Sequence, residues 1–135
     1  MEKLQFDSGV KSYRLGGGVL RFHPGDPNLY IRFLEAAEKF KALEEELVSG
    51  TGEDRAADIL QLMADVDSRM KKLLNGVFGG DNDFHKLLEG VNLLAVADNG
   101  ESVITNLFAA LEPVLIAGAK RCAGDLAAKA KAERA

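Results

Sequence analysis

The stretch Phe22-His23-Pro24-Gly25-Asp26-Pro27 divides the chain into two parts that must fold by different rules. Pro24 pushes His23 into an extended conformation, so the preceding segment ends there. Asp26 is a favoured N-cap and Pro27 suits the first helical position, so a helix opens at once. Upstream, apolar residues recur at spacing two between glycines; downstream they recur at helical spacing. The class that follows is α+β, with a small β segment leading into a mostly helical region of about four helices.

In the first part the apolar pairs are Leu4/Phe6, Tyr13/Leu15 and Leu20/Phe22. Period two puts each pair on one face of a strand. Asp7-Ser8-Gly9 and Gly16-Gly17-Gly18 separate the segments, and glycine supplies the positive φ of tight hairpins. The prediction is a three-stranded antiparallel meander over residues 1–23. Its apolar face is unstable alone in water, so it must cover helices or a partner.

The helical region spans 26–122. Helix one carries Leu29, Phe33, Ala37, Phe40, Glu44 and Leu47 on its stripe and stops near Ser49-Gly50-Thr51-Gly52. Helix two opens with Thr51 and Asp54 as a capping-box variant. Its stripe is Ala56, Ile59, Leu60, Met63, Val66, Met70, Leu73, Leu74 and Val77, and Gly79-Gly80 ends it. Together they make an antiparallel helical hairpin. A short helix covers Asp83 to Glu89, and Asn92 to Ala97 forms a further turn. Asp98 with Glu101 caps the last helix, whose stripe is Ile104, Leu107, Phe108, Leu111, Leu115 and Cys122. Pro113 should kink or break that helix. From Ala123 to Ala135 the apolar stripe is gone, and fraying is expected.

At 135 residues, one domain over 1–135 is the natural size. The net charge of −4 argues against a general nucleic-acid binder, which needs clustered Lys and Arg. The lone Cys122 cannot form an internal disulfide. The opening residues lack a signal-peptide apolar run, and no stretch approaches the roughly 18 apolar residues of a membrane span. The expectation is a cytoplasmic protein that binds neither nucleic acid nor membrane.

Candidate chemistry is sparse. Gly16-Gly17-Gly18 lacks the following helix and Lys-Ser/Thr of a phosphate loop, and reads as a turn. Asp81-Asn82-Asp83 resembles the start of a calcium loop, but Lys86 stands where glycine is required and Asn92 where glutamate is. Asp81, Asp83, His85 and Glu89 read as cap and turn chemistry. Neither His23 nor His85 has a recognisable nucleophile motif beside it. Cys122 reads as a small buried hydrophobe, and Met63 and Met70 as core. No catalytic, cofactor-binding or metal-binding residue is expected, and the chain is read as a non-enzyme with no cofactor. Charge is uneven: Glu44-Glu45-Glu46, Glu53, Asp54, Asp58, Asp65 and Asp67 against Lys120, Arg121, Lys129, Lys131 and Arg134. That polarity suits docking with a partner or self-association.

The order of these features resembles the tail assembly chaperone group, small proteins from the tail-gene clusters of long-tailed phages and prophages of Gram-positive bacteria. The matching pieces are the N-terminal strands and the Phe22 to Pro27 junction with Asn28-Leu29-Tyr30. A second is Val77-Phe78-Gly79-Gly80 with Leu87-Leu88-Glu89-Gly90-Val91-Asn92. A third is Leu94 to Gly100 leading into Asn106-Leu107-Phe108-Ala109-Ala110-Leu111. The likeness runs from about Leu4 to Leu115 and rests on structural rather than catalytic signatures. It implies a non-enzymatic protein that binds the tape measure protein and tail tube subunits in the host bacterial cytoplasm. Phe108, Leu111 and Leu115 are the first candidates for the interaction surface. Two alternatives remain: a minor structural component of the tail, and a small ligand- or metal-binding domain using Asp81 to Glu89.

Overall fold

A computed structural model describes residues 1–49 and 55–134. The elements are β1 (Lys11–Leu15), β2 (Gly18–Phe22), α1 (Pro27–Ser49), α2 (Ala56–Phe78), α3 (Phe84–Leu87) and α4 (Val103–Arg134). The class is α+β, as the two sequence periods require.

The sheet has two strands among the described residues, not three. β1 and β2 pair antiparallel, with Tyr13 opposite Leu20 and Leu15 opposite Gly18. That register leaves Gly16-Gly17 as a two-residue loop, and φ is +53° at Gly16. The glycines have a second reason to be there. The Gly17 amide donates to the Leu87 carbonyl at 2.9 Å, and a side chain on Gly16 would collide with that same oxygen. The loop is thus seated directly on the end of α3.

The third predicted strand fails at Leu4 and Phe6, which are 89% and 84% exposed. Asp7 Oδ1 accepts from the Gly9 amide at 2.9 Å, and Gly9 adopts φ +79° against the His23 ring. This turn sits at the end of β2 and sends residues 1–8 off the sheet. Period two marks a strand-like face, but the turn before β1 decides whether that face reaches an edge. The opposite edge, on β2, is closed by one side chain. Asn82 Oδ1 accepts from the Arg21 amide at 3.0 Å, and its Nδ2 donates to the Arg21 carbonyl at 2.8 Å.

Beneath the hairpin, Leu20 and Phe22 point into the core. An aromatic row runs inward: Tyr13 stacks on Phe22, Phe22 meets Phe78 edge-on, and Phe78 meets Phe84. Asp26 caps α1 as the sequence indicates, its Oδ1 accepting from the Asn28 amide at 3.0 Å. The buried stripe of α1 is Leu29, Phe33, Ala36, Phe40 and Leu43. It therefore passes through Ala36 and Leu43 rather than Ala37 and Glu44, which keeps the Glu44 carboxylate out of the core. α2 runs antiparallel to α1, with the Arg32 side chain on the Val77 carbonyl and Arg69 on Glu46. Its buried stripe begins only at Val66, and Leu60 is 65% exposed. Arg55 occupies the N-cap position without a side-chain cap bond; the expected Thr51/Asp54 box lies outside the described residues.

α4 departs from expectation three times. Its cap is Ser102, whose Oγ accepts from the Thr105 amide, whereas the Glu101 carbonyl accepts from Ala97 in the preceding loop. Asp98 and Glu101 are therefore loop residues and not the cap. Pro113 lies inside one continuous helix, on its exposed side. The helix also continues to Arg134 rather than fraying from Ala123. At 1.5 Å per residue its 32 residues reach about 48 Å, well beyond the body they pack on. α4 is long and apolar enough to cross a bilayer by length and composition, yet Ile104, Leu107, Leu111 and Leu115 within it are core.

Candidate protein-interaction surface

α4 crosses the start of α1 at Gly118. This glycine is buried, and a side chain there would collide with the Pro24 carbonyl. The junction read first in the sequence is thus also the seat of α4. On one side of it α4 buries a stripe of side chains; on the other its residues are half-buried or exposed.

Past Gly118, α4 carries Ala119, Cys122, Ala123 and Leu126 at spacings of three and four, one face of a helix. With Pro27, Tyr30 and Ile31 of α1 they line an apolar groove of about 290 Å³. Leu126 is 68% exposed and Ile31 53%. Leu34, next along the same face of α1, is also exposed. Large apolar side chains gathered on one surface usually mark a contact site. Lys120, Arg121, Lys129, Lys131 and Arg134 flank this face, against Asp125 and Glu133.

A second, more polar cleft of about 510 Å³ opens beside the groove. His23, Asp26, Arg121, Cys122 and Asp125 are among its walls. Two of its polar groups already have local duties. His23 Nδ1 accepts from the Gly25 amide at 3.0 Å, and Asp26 caps α1. Cys122 is half-buried, and no group of three or more His, Cys, Asp or Glu able to hold a metal ion occurs among the described residues.

The residues named from sequence as an interaction surface lie elsewhere. Leu111 and Leu115 are buried, Leu115 completely. Phe108 packs between Phe33 and Phe40, with both ring centroids 5.3 Å away. Leu111 and Leu115 are therefore core of this chain and Phe108 is half-buried against it, because the stripe beside Pro113 is the face that α4 turns toward α1. The Asp81 to Glu89 region is local architecture. Asp83 Oδ1 accepts from the His85 amide to cap α3, and Glu89 adopts φ +55° beside Gly17. Met70 is buried in the core, whereas Met63 is only half-buried.

One buried polar group went unread in the sequence. Lys71 and Asp67 pair at 3.0 Å with side chains 5% and 12% exposed. Asp67 also accepts from the Leu93 amide at 2.8 Å, and Lys71 Nζ lies 3.0 Å from His85 Nδ1. An ammonium has no acceptor, so Lys71 donates and His85 presents its bare Nδ1. The pair ties α2 to α3 and to the loop at Leu93. The available signal was Asp67 and Lys71 at i,i+4 inside the apolar stripe of Val66, Met70 and Leu74. A surface counterpart joins α1 and α2, where Arg69 bridges Glu46 at 3.0 Å and Asp65 at 3.7 Å. The hydrogen bond and charge of Glu46, then Asp65, hold the Arg69 guanidinium above its ordinary range.

No family model, curated protein or solved structure matches this chain.

Proposed function

We propose that this chain is a non-enzymatic protein-binding protein of the tail assembly chaperone kind. It holds the tape measure protein, and tail tube subunits with it, in the bacterial cytoplasm while a tail is built. The observation that supports this reading is the apolar groove between α1 and the far half of α4. Its exposed Ile31 and Leu126 lie on two neighbouring helices and have no occupant within the described chain. A groove of this kind accepts the apolar face of an amphipathic helix, read as anchors at i, i+3, i+4 and i+7. A tape measure protein is a long helical polypeptide and offers such faces along its length. The basic flank of α4 favours partner segments carrying Asp and Glu, and it would speed their encounter more than deepen affinity.

Co-expression with the tape measure protein of the same tail-gene cluster tests the reading. The wild-type chain should raise the partner's soluble yield and co-elute with it. Joint replacement Ile31→Asp and Leu126→Asp should abolish both effects while leaving this chain folded. If the tape measure protein is equally soluble with and without the chain, and no complex elutes, the reading is wrong.

A further inference from the structure

We infer that residues 3–7 form the missing third strand in trans, pairing with the β1 edge of a second copy of this chain. The inference is independent of the partner proposed above.

The two edges of the hairpin are treated differently. Arg21 turns its N–H and C=O away from β1 and onto Asn82. In an antiparallel ladder, its partner Ser12 must then also direct its backbone groups outward. By the same alternation so does Arg14, two residues on. β1 therefore presents an open edge with four strand-pairing groups on Ser12 and Arg14. An uncovered edge of this kind is a template for another strand.

The same end of the core is unfinished on its apolar side. Tyr13 and Leu15 are only half-buried, although Tyr13 begins the aromatic row through Phe22 and Phe78. Residues 3–7 carry what would complete it: Leu4 and Phe6 share one face and are almost fully exposed. The free groups on Ser12 and Arg14 set the register. Gln5 falls opposite Arg14 and Asp7 opposite Ser12, the hydrogen-bonded positions. Leu4 then covers Leu15 and Phe6 covers Tyr13, extending the aromatic row by one ring. The slip by two in one direction would instead put Lys3 opposite Arg14, a like-charge pair that costs stability.

The occupant is a second copy because the chain's own segment is turned away. Asp7 and Gly9 close a turn on His23, off the β1 edge. Exchange between two copies satisfies both edges at once and gives a two-fold dimer, the commonest closed symmetry.

Disulfide trapping between two full-length variants tests this. Both carry Cys122→Ser; one carries Gln5→Cys and the other Arg14→Cys. A directly opposed, hydrogen-bonded pair places the Cα atoms about 5.5 Å apart, within disulfide reach. On mixing in equal amounts and mild oxidation, the mixed disulfide dimer should exceed by far the roughly twofold excess over either homodimer that random pairing gives. Sedimentation should show dimer for the wild type, and monomer for Phe6→Asp, a substitution at a site outside the monomer's core. A mixed dimer no more than about twice as abundant as either homodimer, the random ratio, would overturn the proposal. So would an intrachain disulfide formed in preference when both cysteines are placed in one chain, a monomeric wild type, or a Phe6→Asp variant that remains dimeric.

Discussion

Between Val103 and Gly118, α4 turns Ile104, Leu107, Leu111 and Leu115 into the core; between Ala119 and Arg134 the same helix has no buried residue. The backbone is helical throughout, so the contrast lies in what holds each half. The first half is fixed by packing on α1, with Phe108 between two rings and Gly118 on the Pro24 carbonyl. The second half has Ala, Lys, Glu and Arg, the residues of highest intrinsic helix propensity, and no neighbour along most of its length. Propensity alone sustains only marginal helices in water, so a bare extension of this kind gains most from a partner.

Four substitutions sharpen or break that contrast. The largest effect is expected at Leu115, which is fully buried. Leu115→Ala should destabilise the fold by about 2–5 kcal/mol, read as a lower chemical-denaturation midpoint. Gly118→Ala puts a methyl group against the Pro24 carbonyl and should cost about 1–3 kcal/mol, with the thermal midpoint falling accordingly. A Gly118→Ala variant as stable as wild type would show that α4 is not seated on the junction. Asp26→Ala removes the cap of α1 beneath the crossing and should cost about 1 kcal/mol in equilibrium unfolding. The smallest effect belongs to the far half: Leu126→Ala should change stability by no more than about 0.5 kcal/mol. A loss comparable to that at Leu115 would mean that the two halves are not different after all.

Much of the helical part was legible because it follows local rules. Asp26 caps α1, Gly79 closes α2, Asp83 caps α3, and the α4 stripe lies where spacing puts it. The errors have distinct causes. Leu4 and Phe6 carry the period of a strand, but pairing depends on an edge that sequence period does not specify. Ser102 outcompetes Asp98 and Glu101 as cap because the loop engages Glu101 through its backbone. Asp67 reads from sequence as part of an acidic face, and Lys71 draws no reading there; their mutual pairing and the Leu93 amide let them be buried. The candidate groove was the least legible feature. Ile31 and Leu126 lie far apart in sequence and become neighbours only through the crossing at Gly118. Of its residues Cys122 was noticed, as a lone cysteine on an apolar stripe, but a stripe does not reveal whether its far end is covered. On that same stripe Leu111 and Leu115 are covered, and Phe108 is half-buried beside them.

Hydrogen exchange along α4, with and without the proposed partner, a tape measure protein, tests the central claim most directly. Alone, amides in 103–118 should exchange slowly and those in 120–134 quickly, since local opening is cheapest where few contacts hold the chain. With the partner bound, protection should rise in 119–130 and in the adjoining α1 residues 27–34, leaving 103–118 unchanged. Protection that rises nowhere on the chain, or only outside those two segments, would contradict the account.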